Sequence, residues 1–350
     1  MHQDAGAPLS AVVVGAGVGG LTAALALARA GLSVTVVEQA QALGEVGAGL
    51  QVSPNATRVL FSLGLEAELS ALAFRPEAVE ARGWRRGQEI SQAPLGESAQ
   101  ARYGFPYFHM HRADLISVLE QACRAEAGIA LRLGETVAAC PGDGTPALVL
   151  ASGERLEADI LVGADGIRSL VREALFGPAA PRFTGQVAWR GLVPAERLKD
   201  AGIRPVASLW MGPGAHFVHY FVRGGTLVNF VGVVEADDWR EESWSSRGEA
   251  ADLRRDFAGW HPTVRRIVVS KSNRGDQCNS RCALSQLSCR SVASCIADVS
   301  GSTRTRPDPH VSRASDATSC TVCTLFSSGP KFHESPPRSA PERRLPASMT

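Results

Sequence analysis

The stretch that decides the fold is Ser10-Ala-Val-Val-Val-Gly15-Ala-Gly17-Val-Gly-Gly20-Leu-Thr-Ala-Ala-Leu-Ala-Leu-Ala-Arg29, continued by Ala30-Gly31-Leu-Ser33-Val-Thr-Val-Val-Glu38. Ala11 to Gly15 is a short β-branched run of the kind a parallel sheet buries. Gly15 to Gly20 fits G-x-G-x-x-G. Leu21 to Ala30 has the alanine and leucine content of a helix, and Gly31 stops it. Ser33 to Glu38 is a second apolar strand, ending in an acid 23 residues after the first glycine. The stretch is a complete βαβ unit. Ser10 to Ala28 also carries no charge, as a membrane segment would. Its glycines, and Asp4 in place of a preceding basic cluster, argue against that, and no other stretch is long enough to span a bilayer.

A βαβ unit of this form is built for a dinucleotide. Gly15 permits the tight turn. Gly17 has no Cβ, so the backbone can approach a pyrophosphate, and Gly20 lets helix and strand pack closely. The helix N-terminus directs N–H groups and the positive end of its dipole at the phosphates. Glu38 can accept hydrogen bonds from the ribose hydroxyls of an adenosine and would repel a 2′-phosphate. The motif alone does not separate FAD from NAD.

Ala158-Asp-Ile-Leu-Val-Gly163 is another buried strand, followed by Ala164-Asp165-Gly166-Ile167-Arg168-Ser169 and an apolar helix from Leu170 to Phe176. With it the chain resembles the single-component FAD-dependent aromatic hydroxylases of the salicylate and 3-hydroxybenzoate hydroxylase type. Three other segments carry the resemblance: the glycine motif ending at Glu38, Val46-Gly-Ala-Gly49-Leu-Gln51 leading to Pro54-Asn-Ala56, and His111-Arg112-Ala-Asp114-Leu115. The resemblance implies that Gly15, Gly17, Gly20 and Glu38 hold the ADP half of FAD. It implies that Gly49 runs past the flavin, that Arg112 reaches the pyrophosphate or ribityl region, and that Asp165 and Gly166 lie where FAD and the nicotinamide cofactor approach. A physical argument supports Arg112. Leu115, Val118, Leu119, Ala122 and Cys123 form a helical stripe, and a cation at the start of that helix opposes its dipole unless an anion lies beside it.

From Pro181 the pattern changes to strands with Gly-rich turns, an antiparallel meander. The strands are Val187–Val193, Ala207–Met211, His216–Val222 and Thr226–Val234, and a hairpin over residues 79–90 joins them. Alternation puts His216, Val218 and Tyr220 on one face, with His216 and Tyr220 about 13 Å apart at strand rise. The resemblance points to His216 and Tyr220 as substrate-pocket residues and to Arg190 as a catalytic arginine. On that reading His216, alone or through Tyr220, is the base that makes a phenol more nucleophilic.

The 350 residues carry a net charge of +1, which excludes a strongly basic nucleic-acid binder as the default. The charge is unevenly spread: the first 269 residues carry −4 and the last 81 carry +5, with six of the eight cysteines. The last 81 have no sustained periodicity and lack the Gly-Asp-Ala-Ala-His-Pro segment that the resemblance leads one to expect. Cys320-x-x-Cys323 has no partner pair at zinc-finger spacing, so no metal site is assigned. The preferred reading is a C-terminal part that is missing or translated out of frame.

The expectation is therefore an α/β chain: a Rossmann-like, GR2-type FAD-binding domain (9–75 and 105–180) interleaved with an antiparallel-sheet substrate domain (76–104 and 181–269). A tail, 270–350, is expected to be disordered. The expected function is FAD-dependent hydroxylation of a small aromatic, such as salicylate or 3-hydroxybenzoate, with NADH or NADPH and O2. The expected setting is the cytoplasm, as a monomer or homodimer without nucleic-acid or membrane partners. Another FAD oxidoreductase of the same fold, or an inactive truncated protein, stands as the alternative.

Overall fold

The computed structural model describes residues 8–44, 49–141, 146–178, 183–236, 248–272 and 280–285. The chain opens with strand β1 (Ser10–Val14), helix α1 (Val18–Arg29) and strand β2 (Ser33–Glu38). Strand β3 (Gly49–Val52) leads into helices α2 (Pro54–Ser62) and α3 (Glu66–Leu72). A hairpin of β4 (Ala78–Gly83) and β5 (Glu89–Pro94) precedes helix α4 (Gly96–Tyr103). Strand β6 (Phe108–His111) runs without a linker into helix α5 (Arg112–Ala125), and β7 (Ile129–Leu133) follows. Three short strands, β8 (Val137–Ala139), β9 (Ala147–Leu150) and β10 (Arg155–Glu157), come before β11 (Ile160–Gly163) and helix α6 (Leu170–Phe176). The remaining elements are β12 (Phe183–Pro194), β13 (Ala207–Gly212), β14 (Ala215–Val222), β15 (Leu227–Glu235), helices α7 (Ala250–Asp256) and α8 (Pro262–Ser272), and β16 (Ser280–Ser285).

The first sheet is four-stranded, in the order β11-β1-β2-β7, and every pair is parallel. Its central strand shows why the apolar run is unbroken. Ala11 and Val13 pack with Leu21, Leu25 and Leu119 of the helical face, while Val12 and Val14 pack with Leu148, Leu150 and Val171 on the other. A strand covered on both faces needs an apolar residue at every position.

The second sheet has seven strands, in the order β16-β12-β15-β14-β13-β4-β5. One face packs on helices through Trp189, Phe217, Phe230, Phe257, Trp260 and Ile267. Phe217 stacks on Phe230 at 5.3 Å between ring centres, and Trp189 donates its indole N–H to Asp256 at 2.8 Å. The other face turns toward the β3–β6 ribbon.

Two features depart from the sequence reading. The meander is not wholly antiparallel: β4 pairs with β13 in parallel. No tight turn links those strands, so nothing local imposes the antiparallel sense. In addition, α8 continues through Ser272, past the expected boundary at 269, with Ser270 and Lys271 buried. Ser280–Ser285 adds an antiparallel edge strand to β12. Residues 286–350, including Cys320 and Cys323, and the Val46-Gly47-Ala48 segment lie outside the described residues. Among the described residues no helix is long and apolar enough to cross a membrane.

Candidate active site

The glycine turn separates packing from access. Gly15 has φ +99° and donates its N–H to Val37 at 2.8 Å. A Cβ on Gly15 would sit 2.5 Å from the Ala164 carbonyl oxygen, and one on Gly20 would overlap the Gly15 carbonyl. These two glycines let β1, α1 and the end of β11 close on one another. Gly17 is extended, at φ −73° and ψ −178°, and a Cβ there would meet nothing within 4 Å. Its bare backbone leaves open space before the first turn of α1, which contains no acid. Glu38 closes the turn: one carboxylate oxygen accepts the Ala16 N–H at 2.8 Å and the other the Ala40 N–H at 2.9 Å. Each oxygen retains a further lone pair.

Asp165 follows β11 at the same end of the sheet. Its Oδ2 accepts the Leu170 N–H at 2.7 Å and so caps α6, while Oδ1 is buried without a partner. Gly166 adopts φ +81° with open space where a side chain would be. Asp165 therefore has a local structural job as well as a free acceptor.

Strand register assembles the other candidates. Arg190 pairs with Val231, Val231 with Val218, and Tyr220 with Asn229. Arg190, His216 and Tyr220 consequently share one face, around the Val218–Val231 pair, with Arg190 two strand spacings, about 10 Å, from β14. Gly49 arrives on the same face. Its N–H donates to Asn229 Oδ1 at 2.8 Å, and a Cβ on it would lie 2.7 Å from the Tyr220 ring.

The electrostatics are set by burial. Burial lowers the Arg112 guanidinium from its ordinary value, and the nearby charge of Arg190 lowers it further. Two half-buried cations thus lie near each other, an arrangement that suits an anion. Burial raises the Tyr220 phenol well above its ordinary value, with Arg190 acting in the opposite direction. Burial also lowers His216, which favours its neutral form.

Two residues at this site escaped the sequence reading. His109 is buried with its ring 4.5 Å from that of Tyr220 and 6.2 Å from Phe74. Burial takes its pKa down to about 3, with the Phe221 backbone pulling the other way. Asn229 is fully buried. The signal for it was available: an amide inside the apolar run Leu227–Val234 needs a partner, because burying an unpaired amide is costly.

Comparison with known proteins shows the family and the fold. Residues 9–255 match the family described as FAD binding domain. The 3-amino-4-hydroxybenzoate 2-monooxygenase of Streptomyces cremeus is 40% identical over 264 residues, covering 75% of this chain and 64% of that protein. The 3-hydroxybenzoate 6-hydroxylase of Polaromonas naphthalenivorans is 34% identical over 268 residues, covering 76% of this chain and 66% of that protein. Among solved structures, Klebsiella pneumoniae HpxO complexed with FAD and uric acid is similar with a TM-score of 0.66 and 26% identity, over 79% of this chain and 68% of that one. The chain spans less than two thirds of the length of either curated relative.

Proposed function

Because the chain belongs to the FAD-binding-domain family that includes flavin-dependent aromatic monooxygenases, we propose that it carries the ADP-binding and substrate-facing parts of such an enzyme. The observation that carries this reading is the shared face of Arg190, His216 and Tyr220, with Gly49 packed on Tyr220. The proposed substrate is a small phenolic acid such as salicylate or 3-hydroxybenzoate, with NADH or NADPH as reductant.

The residues present fit FAD. The open space over Gly17 before α1 suits a pyrophosphate, Glu38 has lone pairs left for ribose hydroxyls, and Asp165 Oδ1 is a buried acceptor without a donor. Arg112 would hold an anionic group of the cofactor. When bound, FAD would supply the redox chemistry, placing one oxygen atom of O2 on an electron-rich ring at the expense of NAD(P)H. The chain's own groups orient the ring and manage its proton. Neutral His216 would accept the phenol proton at a ring nitrogen, Tyr220 would stay protonated and hydrogen-bond the ring's oxygen, and Arg190 would hold the substrate carboxylate.

The test is to titrate the purified chain with FAD, follow the bound-flavin absorbance, then supply NADH and 3-hydroxybenzoate or salicylate under 18O2. Bound flavin and one heavy oxygen in the product are expected. A colourless protein after FAD addition, or NADH oxidation without any labelled product, overturns the reading.

A further inference from the structure

We propose that Asn229 is a positioning residue, holding the backbone at Gly49 against the Tyr220 face so that the first residues of β3 are set at their place beside the flavin. The flavin part of this inference rests on the function proposed above; the contact itself does not. Asn229 lies on β15, is fully buried, and accepts the Gly49 N–H from 180 residues away at 2.8 Å. A backbone N–H can only donate, so the amide oxygen must face Gly49 and the nitrogen must point elsewhere. That nitrogen has no partner.

A residue present only for packing would not be polar here. The neighbours on the same face of β15 are Leu227, Val231 and Val233, and an apolar side chain would avoid an unmade donor. What the amide provides is a partner for the half-buried Gly49 N–H, which would otherwise be an unpaired donor at the start of the β3–β6 ribbon. The fit around the bond is tight. A Cβ on Gly49 would lie 2.7 Å from Tyr220 Cε2 and 2.9 Å from Asn229 Cγ, so only glycine can occupy that position without displacing both. Tyr220 and Asn229 are cross-strand partners, so a group that moves Tyr220 also bears on the residue that holds Gly49.

The test compares the full chain with Asn229→Ala, with Asn229→Leu, which keeps the branching at Cγ and removes the acceptor, and with Asn229→Asp, which keeps an acceptor oxygen. Amide hydrogen exchange is measured over residues 49–53, and FAD affinity by quenching of flavin fluorescence. Removing the acceptor should speed exchange there at least tenfold, leave β12 to β14 unchanged, and weaken FAD at least tenfold. Asn229→Asp should restore most of both. Exchange within twofold of wild type in the Ala or Leu variant overturns the contact's role. So does equal acceleration throughout the seven-stranded sheet, which marks a packing residue. FAD held equally by wild type and the acceptor-less variants overturns the positioning role alone. A wild-type chain that takes up no FAD overturns the flavin reading and the positioning role with it, whatever exchange shows. Leu is read if Ala fails to fold, and failure of both variants to fold counts against the proposal.

Discussion

Arg223, in the turn between β14 and β15, grips Asp114 in the first turn of α5 through Nη2–Oδ1 at 2.8 Å and Nε–Oδ2 at 3.0 Å, across 109 residues of sequence. Arg223 holds φ +50°, and among the described residues it is the one non-glycine with positive φ. The turn thus stays in a costly conformation while its side chain fastens the substrate sheet to the helix that begins at Arg112. A double-mutant cycle with Arg223→Ala and Asp114→Asn, read by urea unfolding, should give a coupling of about 1–2 kcal/mol. Arg223→Gly should be less destabilising than Arg223→Ala by about 1 kcal/mol, because glycine takes this φ without strain. Equal losses would show that the strain is not there.

Gly17 and Gly20 should fail differently. Gly17→Ala places a methyl in open space on an extended backbone, so melting should stay close to wild type while FAD affinity drops at least tenfold. Gly20→Ala drives a methyl into the Gly15 carbonyl and should cost several kcal/mol of stability, on the scale of overpacking in a core. Paired thermal melts and FAD titrations check this. A Gly17→Ala protein with unaltered FAD affinity would remove the pyrophosphate from that space.

Acid should destabilise the fold through its buried histidines. Burial lowers His109 to about 3, and it lowers His219, beside Trp210, to about 4 despite the Glu80 carboxylate. Both folded values lie below the unfolded value of about 6.5. The unfolded chain therefore binds more protons between pH 6.5 and 4. The stability these groups contribute is complete above pH 6.5 and is lost as pH falls. The slope from this pair should approach roughly 2.7 kcal/mol per pH unit, two protons' worth. His219→Phe should remove one of the two, as measured by urea unfolding at several pH values. An unchanged slope would mean that His219 is already charged in the fold.

In the proposed reaction His216 acts as its neutral form, and burial lowers its pKa. The acidic limb of kcat/KM should therefore fall below pH 6.5, with activity rising as pH rises through it, and His216→Gln should abolish that limb. Tyr220→Phe keeps the ring against Gly49, so FAD binding should persist while kcat drops at least tenfold. Full hydroxylation by Tyr220→Phe would exclude a proton role for the phenol.

Local features of the molecule were legible in the sequence, and distant pairings were not. Gly15, Gly20 and Glu38 lie within one βαβ unit, where spacing along the chain dictates spacing in space. Alternation along β14 likewise put His216 and Tyr220 on one face. The position of Gly49 between Tyr220 and Asn229 depends on two segments 180 residues apart, for which no local period exists. His109 was hidden for another reason. In Phe108-His-Met-His111 every residue is buried, so there was no alternation to mark which side chain faces the site.

The parallel pairing of β4 with β13 also bears on how the protein forms. The seven-stranded sheet takes β4 and β5 from residues 78–94 and its other strands from residue 183 onward, with the whole Rossmann-like second half emerging between them. On the ribosome the early hairpin must wait, one edge unpaired, until Ala207–Gly212 has been synthesised. Long-range closure of this kind slows folding and lengthens the exposure of a sheet edge. A fragment beginning at residue 183 would lack the strand that β13 pairs with in parallel, so the substrate face cannot be obtained by cutting the chain at its apparent boundary. Expression at low temperature with slowed translation should raise the yield of folded protein more than any trimming of the termini.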